Sequence, residues 1–309
     1  MAGITTKTAL GDSVPTEFIA EVQLKNQQGA VMRNLVQAVT LPEGEGGIYE
    51  ETELARAVAY ALTEGIDMSQ AQQITDSSME ITPGEIGAQI IRTDMVERQI
   101  TKRANLPRLL GQILGNAIIT KEDVDLLSLL DGFTVALGAA GTSLTPGYIM
   151  AAAAAIRAGG QAAAAIVAGT PEPAPDPIQA VFNDNQFHTV NKHLAGVLQT
   201  VTTSGVIAAS PRTDFGVEVL KNAFTQKIGG AMVYIDNNLG KDADDDAKGG
   251  VFSKQALRFV RFGSGPKMEP ERDASGRWTE MNIVTVYGTG EFKDAWGREM
   301  LFDGSSATS

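Results

Sequence analysis

Thr82-Pro83-Gly84-Glu85 lies between two short, extended-looking arms, Gln73 to Ile81 and Ile86 to Thr93, and a long apolar helical region follows. Proline presets φ at the second position of a tight turn, and glycine accepts positive φ at the third. The sequence therefore predicts a hairpin over 66–98, tipped at Pro83-Gly84. Its arms carry few apolar side chains, mainly Ile74, Met79, Ile81, Ile86, Ile90 and Ile91, among Ser, Thr, Gln, Asp and Glu. A two-stranded ribbon is marginal in water by itself. Two readings follow: a surface hairpin of an ordinary enzyme, or an arm that takes its order from a neighbouring subunit.

Downstream, Asn105 suits an N-cap, with Pro107 in the first turn. Leu109, Leu110, Ile113, Leu114, Ala117 and Ile118 recur at helical spacing. Thr120-Lys121-Glu122-Asp123 either opens a second helix as a capping box or lies within one long helix. Upstream, residues 1–50 read as an extended N-terminal arm with one short strand or helix. Residues 51–65 read as a helix, with Leu54, Ala55, Val58, Ala61 and Leu62 on one face and Gly65 as its stop. Gly138 to Gly141 reads as a hinge and a domain boundary. Further on, a helix follows Thr145-Pro146, and four prolines in 170–177 stiffen a connector. Ile178 to Phe182 and Ala231 to Ile235 read as strands, with helices capped at Asn183-Asp184 and Thr213-Asp214. Strands are expected over Phe252–Phe262, Lys267–Arg272 and Trp278–Tyr287. The class is α+β, with antiparallel strands gathered late in the chain.

Composition narrows the function. The 309 residues are 43% hydrophobic and 20% charged, enough for a sizeable core. A net charge of −12 argues against a sequence-independent grip on nucleic-acid phosphates. The absence of cysteine removes disulfides, thiolate metal sites and a Cys nucleophile. The start lacks the blocks of a signal peptide, and the alanine-rich run is broken by Arg157, Gly159, Gly160 and Gln161, so neither secretion nor a membrane span is expected.

Candidate chemistry is thin. Asp242, Asp244 and Asp246 match the first ligands of a calcium hand, but Ala247 replaces its turn glycine and Ser253 its closing glutamate. A solvated loop over 237–250 is the better reading. His188 and His193 stand five apart, the wrong spacing for a zinc pair on a helix. Gly138 to Ser143 lacks the lysine of a phosphate loop. Glu122 and Asp123 fit helix-start electrostatics better than acid–base work. No catalytic residue, cofactor or metal is expected, and the chain is not read as an enzyme.

The order of elements, together with Asp131-Gly132-Phe133 closing the long helix, resembles the major capsid protein of tailed bacteriophages, with the Hong Kong 97-type shell fold. Leu144-Thr145-Pro146, Ile178-Gln179-Ala180-Val181-Phe182, Gly229-Gly230-Ala231-Met232-Val233-Tyr234 and the tail from Ala256 to Trp296 carry the same likeness, which spans about 50 to 300. The resemblance implies an extended loop at 66–98, a peripheral domain with a spine helix at 99–141, and an axial domain at 142–250. Strands in 251–309 would return to both. Thr82, Pro83, Gly84 and Glu85 at the loop tip, with Ile74, Met79, Ile81, Ile86 and Ile90 on its arms, would touch the next subunit.

It also implies assembly as pentamers and hexamers into an icosahedral virion capsid around double-stranded DNA, formed in the bacterial host cytoplasm. A portal, a separate scaffolding protein and possible decoration proteins would be the partners, with no membrane. Asp67 to Gln99 contains no lysine, so no isopeptide cross-link is expected. Replacing Pro83-Gly84 is expected to impair shell formation more than monomer folding. A cellular nanocompartment shell of the same fold is the alternative, and an α/β enzyme with an unrecognised site is a third reading.

Overall fold

A computed structural model describes residues 29–306 apart from 43, 45–46, 66, 68–70, 100–105, 160–171, 204–226 and 264. The expected cap at Asn105 and the helix from Thr213 lie outside the described residues. Five α-helices are described: α1 (Met32–Leu35), α2 (Asp94–Gln99), α3 (Leu106–Ser128), α4 (Pro146–Arg157) and α5 (Asp184–Thr203). The strands are β1 (Gln37–Leu41), β2 (Tyr49–Leu54), β3 (Asp76–Ile81), β4 (Gly84–Thr93), β5 (Ala136–Gly138), β6 (Ile178–Phe182) and β7 (Lys227–Ile228). They continue with β8 (Ala231–Ile235), β9 (Asp246–Ser253), β10 (Leu257–Phe262), β11 (Lys267–Asp273), β12 (Trp278–Glu291) and β13 (Gly297–Asp303).

The strands form three sheets. A five-stranded sheet orders β1-β10-β12-β11, with β4 on the remaining flank of β12. Fourteen residues of β12 hold it together: Trp278–Val284 pairs with β11, Tyr287–Glu291 with β10, and Trp278–Tyr287 with β4. The long helix α3 lies on this sheet, burying Leu114 and Ile118 against Met281 and Ile283. α3 runs unbroken through Thr120, which settles the choice left open by the sequence in favour of one helix of about 35 Å.

The six-stranded sheet orders β5-β13-β9-β6-β8-β7. All five residues of β6 are buried, as expected for a central strand covered on both faces. α4 packs Ile149, Ala152, Ala153 and Ile156 into the same core. α5 starts with a capping box: Asn183 Oδ1 accepts from the Asn185 N–H (3.1 Å), and Gln186 Oε1 accepts from the Asn183 N–H (3.2 Å). Buried Gln186 also donates its amide to the carbonyls of Ala247 and Phe302, both at 2.8 Å, bolting the helix onto β9 and β13.

Several expectations are corrected. Residues 51–65 are not helical: β2 ends at Leu54, and 55–63 have no regular structure. The alanine-rich i, i+4 pattern found no apolar surface on which to lay a helix, and helices this short draw their stability from such packing. The arms either side of Pro83-Gly84 do not pair with each other. β3 pairs with β2, Tyr49 opposite Ile81 through Leu54 opposite Asp76, whereas β4 joins β12. Gly84 adopts no positive φ and begins β4. The loop expected over 237–250 ends earlier, because β9 starts at Asp246. The strand expected over Phe252–Phe262 is two, β9 and β10, broken at 254–256. Gly138 to Gly141 is a pinned turn and not a hinge. A Cβ on Gly138 would stand 2.3 Å from the Leu301 carbonyl, and the Gly141 N–H is held by Asp246 at 2.8 Å.

Candidate intersubunit surface

The ribbon β2–β3 leaves the body of the molecule as a two-stranded sheet of its own. Beyond the paired strands its backbone stays braced for one more step. The Ala55 N–H donates to the Thr75 carbonyl (2.7 Å), and Gln72 Oε1 accepts from the Val58 N–H (2.8 Å) while its amide donates to the Val58 carbonyl. A side-chain amide thus stands in for a missing strand residue. Leu54, Val58, Tyr60, Leu62 and Ile74, on or beyond the ribbon's outer end, are 47–72% exposed. Apolar side chains of this size clustered on a projecting element mark an interaction surface.

The other end of the ribbon is anchored by charge and shape. The Arg258 guanidinium, buried beside the Phe292 ring, donates from Nε (2.7 Å) and Nη2 (2.9 Å) to the two carboxylate oxygens of Glu51. This bidentate geometry holds the Glu51 carboxyl below its ordinary range. Two residue pairs further out, Lys293 Nζ meets Glu53 at 2.5 Å and Glu172 at 2.7 Å. Burial alone would lower its pKa, but the two carboxylates outweigh that and raise it. Beneath them Ile81 presses on β12 at Gly288 and Gly290, where an added Cβ would come within 2.7 Å of the Ile81 side chain. The glycines leave room for the segment at Ile81–Pro83 to cross β12 of the same chain at that point.

The residues singled out by sequence therefore divide. Ile81 is buried in its own chain, and Ile86 and Ile90 pack against the cluster of Leu114, Ile118, Met281 and Ile283. Pro83 sits over Gly288, its Cα 3.1 Å from where a Cβ would stand. Met79 is half-buried at the ribbon base, while Thr82, Gly84 and Glu85 are exposed beside β12. Ile74 alone of the nine lies at the projecting end. Sequence reasoning missed Leu54, Val58, Tyr60 and Leu62. Their signal was present as an apolar run, but its spacing was assigned to a helix face.

The remaining candidates serve structure. Asp242 Oδ1 accepts from the backbone N–H of Asp244 (3.0 Å) and Asp246 (2.8 Å), so the acidic loop is folded on its own amides. Among the described residues no three His, Asp or Glu side chains are placed to hold a metal ion. His188 and His193 are exposed on α5. Glu122 and Asp123 are not at a helix start: they lie deep in α3 and are buried, Glu122 hydrogen-bonded to Arg261. No helix among the described residues is long and apolar enough to cross a membrane.

No family model and no curated protein matches the chain. Solved structures do. A capsid structure of Helicobacter pylori bacteriophage KHP30 is 9% identical with a TM-score of 0.69, covering 99% of this chain and 100% of that one. A Mycobacterium phage Che8 structure is 17% identical with a TM-score of 0.64, covering 95% and 98%. The capsid of an empty GTA particle is 12% identical with a TM-score of 0.59, covering 96% and 98%. With a projecting ribbon, a long helix on a five-stranded sheet and a helix-covered six-stranded sheet, the chain has the Hong Kong 97-type fold of tailed-phage capsids.

Proposed function

We propose that the chain is a structural shell subunit that assembles with copies of itself, as pentamers and hexamers, into an icosahedral particle around double-stranded DNA. The observation that carries this reading is the ribbon: anchored at its base, with Leu54, Val58, Tyr60, Leu62 and Ile74 exposed beyond it. Ordering an extended segment costs roughly 1–2 kcal/mol of backbone freedom per residue. A large contact with an adjoining subunit offsets that cost, and the capsid fold supplies the adjoining subunit. The extended loop is accordingly 49–81 in place of 66–98. The peripheral domain is α3 with the five-stranded sheet, and the axial domain is the six-stranded sheet with α4 and α5.

The role is structural, with no catalytic step. The net charge of −12 supports a wall that repels packaged DNA and does not trap it. A portal and a separate scaffolding protein are the partners this reading calls for, with decoration proteins on the outside, and assembly takes place in a bacterial cytoplasm. Neither 49–81 nor 67–99 contains a lysine, so neighbouring subunits are held without isopeptide bonds. Boiled particles should run as the 32.6 kDa chain, and covalent multimers would refute that point. Electron microscopy of the purified protein tests the whole reading. Closed shells of regular size, made with scaffold and filled with DNA, are expected. A monomer by sedimentation, with no particles in the presence of scaffold, would end it.

A further inference from the structure

Two buried acids meet where α1, α3 and the segment after β8 come together. Asp123, in α3, and Asp236, just past β8, are both fully buried. Asp123 Oδ1 accepts from the backbone N–H groups of Val31 and Met32, each at 2.9 Å, and so caps the start of α1. Its Oδ2 accepts from Asn238 Nδ2 at 2.8 Å. Asp236 Oδ1 accepts from the Asn238 N–H at 2.9 Å, and its backbone N–H is tied to the Phe182 carbonyl at 2.9 Å. Among the described residues the buried Asp236 Oδ2 has no hydrogen-bond partner, and Asn238 ties the two acids together, its N–H on Asp236 and its side-chain amide on Asp123. Burying two carboxylates side by side disfavours ionising both.

The charged groups on the surrounding elements are committed elsewhere. Glu122 is held by Arg261 and lies 3.5 Å from Arg33 of α1. Lys121 pairs with Asp125, and Lys241 with Asp245 at 3.9 Å. Asp184, at the start of α5, is exposed. None of them is placed to neutralise the pair.

We propose that Asp236 carries a proton which it donates to Asp123, and that this hydrogen bond is a pH-operated latch holding segment 29–35 on the long helix. The Asp236 Oδ2–H donates to the Asp123 carboxyl, whose Oδ1 caps Val31 and Met32. Loss of that proton sets two negative charges face to face away from water. Segment 29–35 rests on Asp123 through the Val31 and Met32 amides, so lifting it is the local motion that lets water reach the pair from the Asp123 side. Burial first, and the Asp123 carboxyl second, push Asp236 up to about 7. Its pKa is thus raised in the closed state. The closed state is favoured most in acid, loses ground as pH rises toward about 7, and changes no further above it. The latch belongs to the single chain and does not depend on the shell reading.

Hydrogen exchange of the Val31 and Met32 amides in the full-length protein, corrected for intrinsic base catalysis, tests it. The opening constant should rise by up to about tenfold per pH unit between about pH 5 and about pH 7, then level off. Asp236→Asn keeps the donor to Asp123 without a titrating proton and should flatten the profile. Glu291, which burial and Asp294 also raise to about 7, is the control: Glu291→Gln should leave the slope unchanged. A flat wild-type profile, a slope that survives Asp236→Asn, or one abolished by Glu291→Gln would overturn the latch. Infrared spectroscopy of the Glu291→Gln variant, in which Glu291 contributes no carboxyl band, adds a second readout. A band from a buried protonated carboxyl should vanish over the same window, and its absence in acid would also overturn the proposal.

Discussion

The two ends of the ribbon differ in what holds them. At the base, Glu51 and Glu53 face Arg258 and Lys293, and Ile81 fills the space left by Gly288 and Gly290. At the outer end Leu54, Val58, Tyr60 and Leu62 face solvent. Both ends carry apolar side chains, so hydrophobicity alone does not distinguish them. What differs is whether the chain supplies a second surface. The lesson is that a segment can be tightly attached and still be unfinished, its fold complete at one end and its burial incomplete at the other.

Breaking the base should have the largest effect. Glu51→Ala leaves the buried Arg258 guanidinium without its carboxylate, and losing one partner of a buried pair costs about 3–5 kcal/mol. Because Glu51 is partly exposed, the lower end of that range is expected, as a drop in denaturation midpoint of the unassembled protein. Ile81→Ala comes next. It removes a side chain that is 5% exposed and should destabilise the chain by about 2–4 kcal/mol by the same measurement. Replacing Pro83-Gly84 belongs with these, because Pro83 packs on the chain's own β12. Monomer stability should fall, which reverses the order of effects expected from the sequence. Unchanged melting of such a variant would show that the crossing at Gly288 is not structural.

The outer end should behave oppositely. Leu62→Asp and Tyr60→Ala should shift monomer stability by less than about 0.5 kcal/mol, as exposed substitutions do, while sharply lowering the yield of particles. Equal particle yields would remove the ribbon from the shell contact. The smallest effect is a pH asymmetry between two attachments. Glu51 is lowered by Arg258, so its contribution is present above the ordinary carboxylate range and is lost as pH falls through its folded value. The Asp123–Asp236 pair weakens in the other direction. Exchange at the Thr52 amide should therefore quicken in acid and at Met32 toward neutrality. Parallel profiles at the two sites would rule out separate charge control.

Much of the architecture was legible before the structure. β6 and β8 stand where apolar and β-branched runs placed them, β11 covers the expected Lys267–Arg272 strand, and α4 begins at Thr145-Pro146 as its N-terminal proline suggests. The turn at 274–277 joins β11 to β12, with Asp273 accepting from the Ser275 and Gly276 N–H groups. The candidate surface was half legible. That a hydrophilic finger leaves the body was readable, but its strands were assigned to the wrong partners.

Local sequence determined the α+β class and the helical character of 109–118, because helix periodicity is a short-range property, whereas the continuity of α3 through Thr120 was decided by the structure. Pairing is long-range. Pro-Gly suited a turn equally well in a hairpin or in a strand crossing, and only β12, nearly two hundred residues away, decided between them. The same holds for Glu122 and Asp123, whose burial depends on Arg261, Asn238 and the backbone of α1 reaching them from distant parts of the chain.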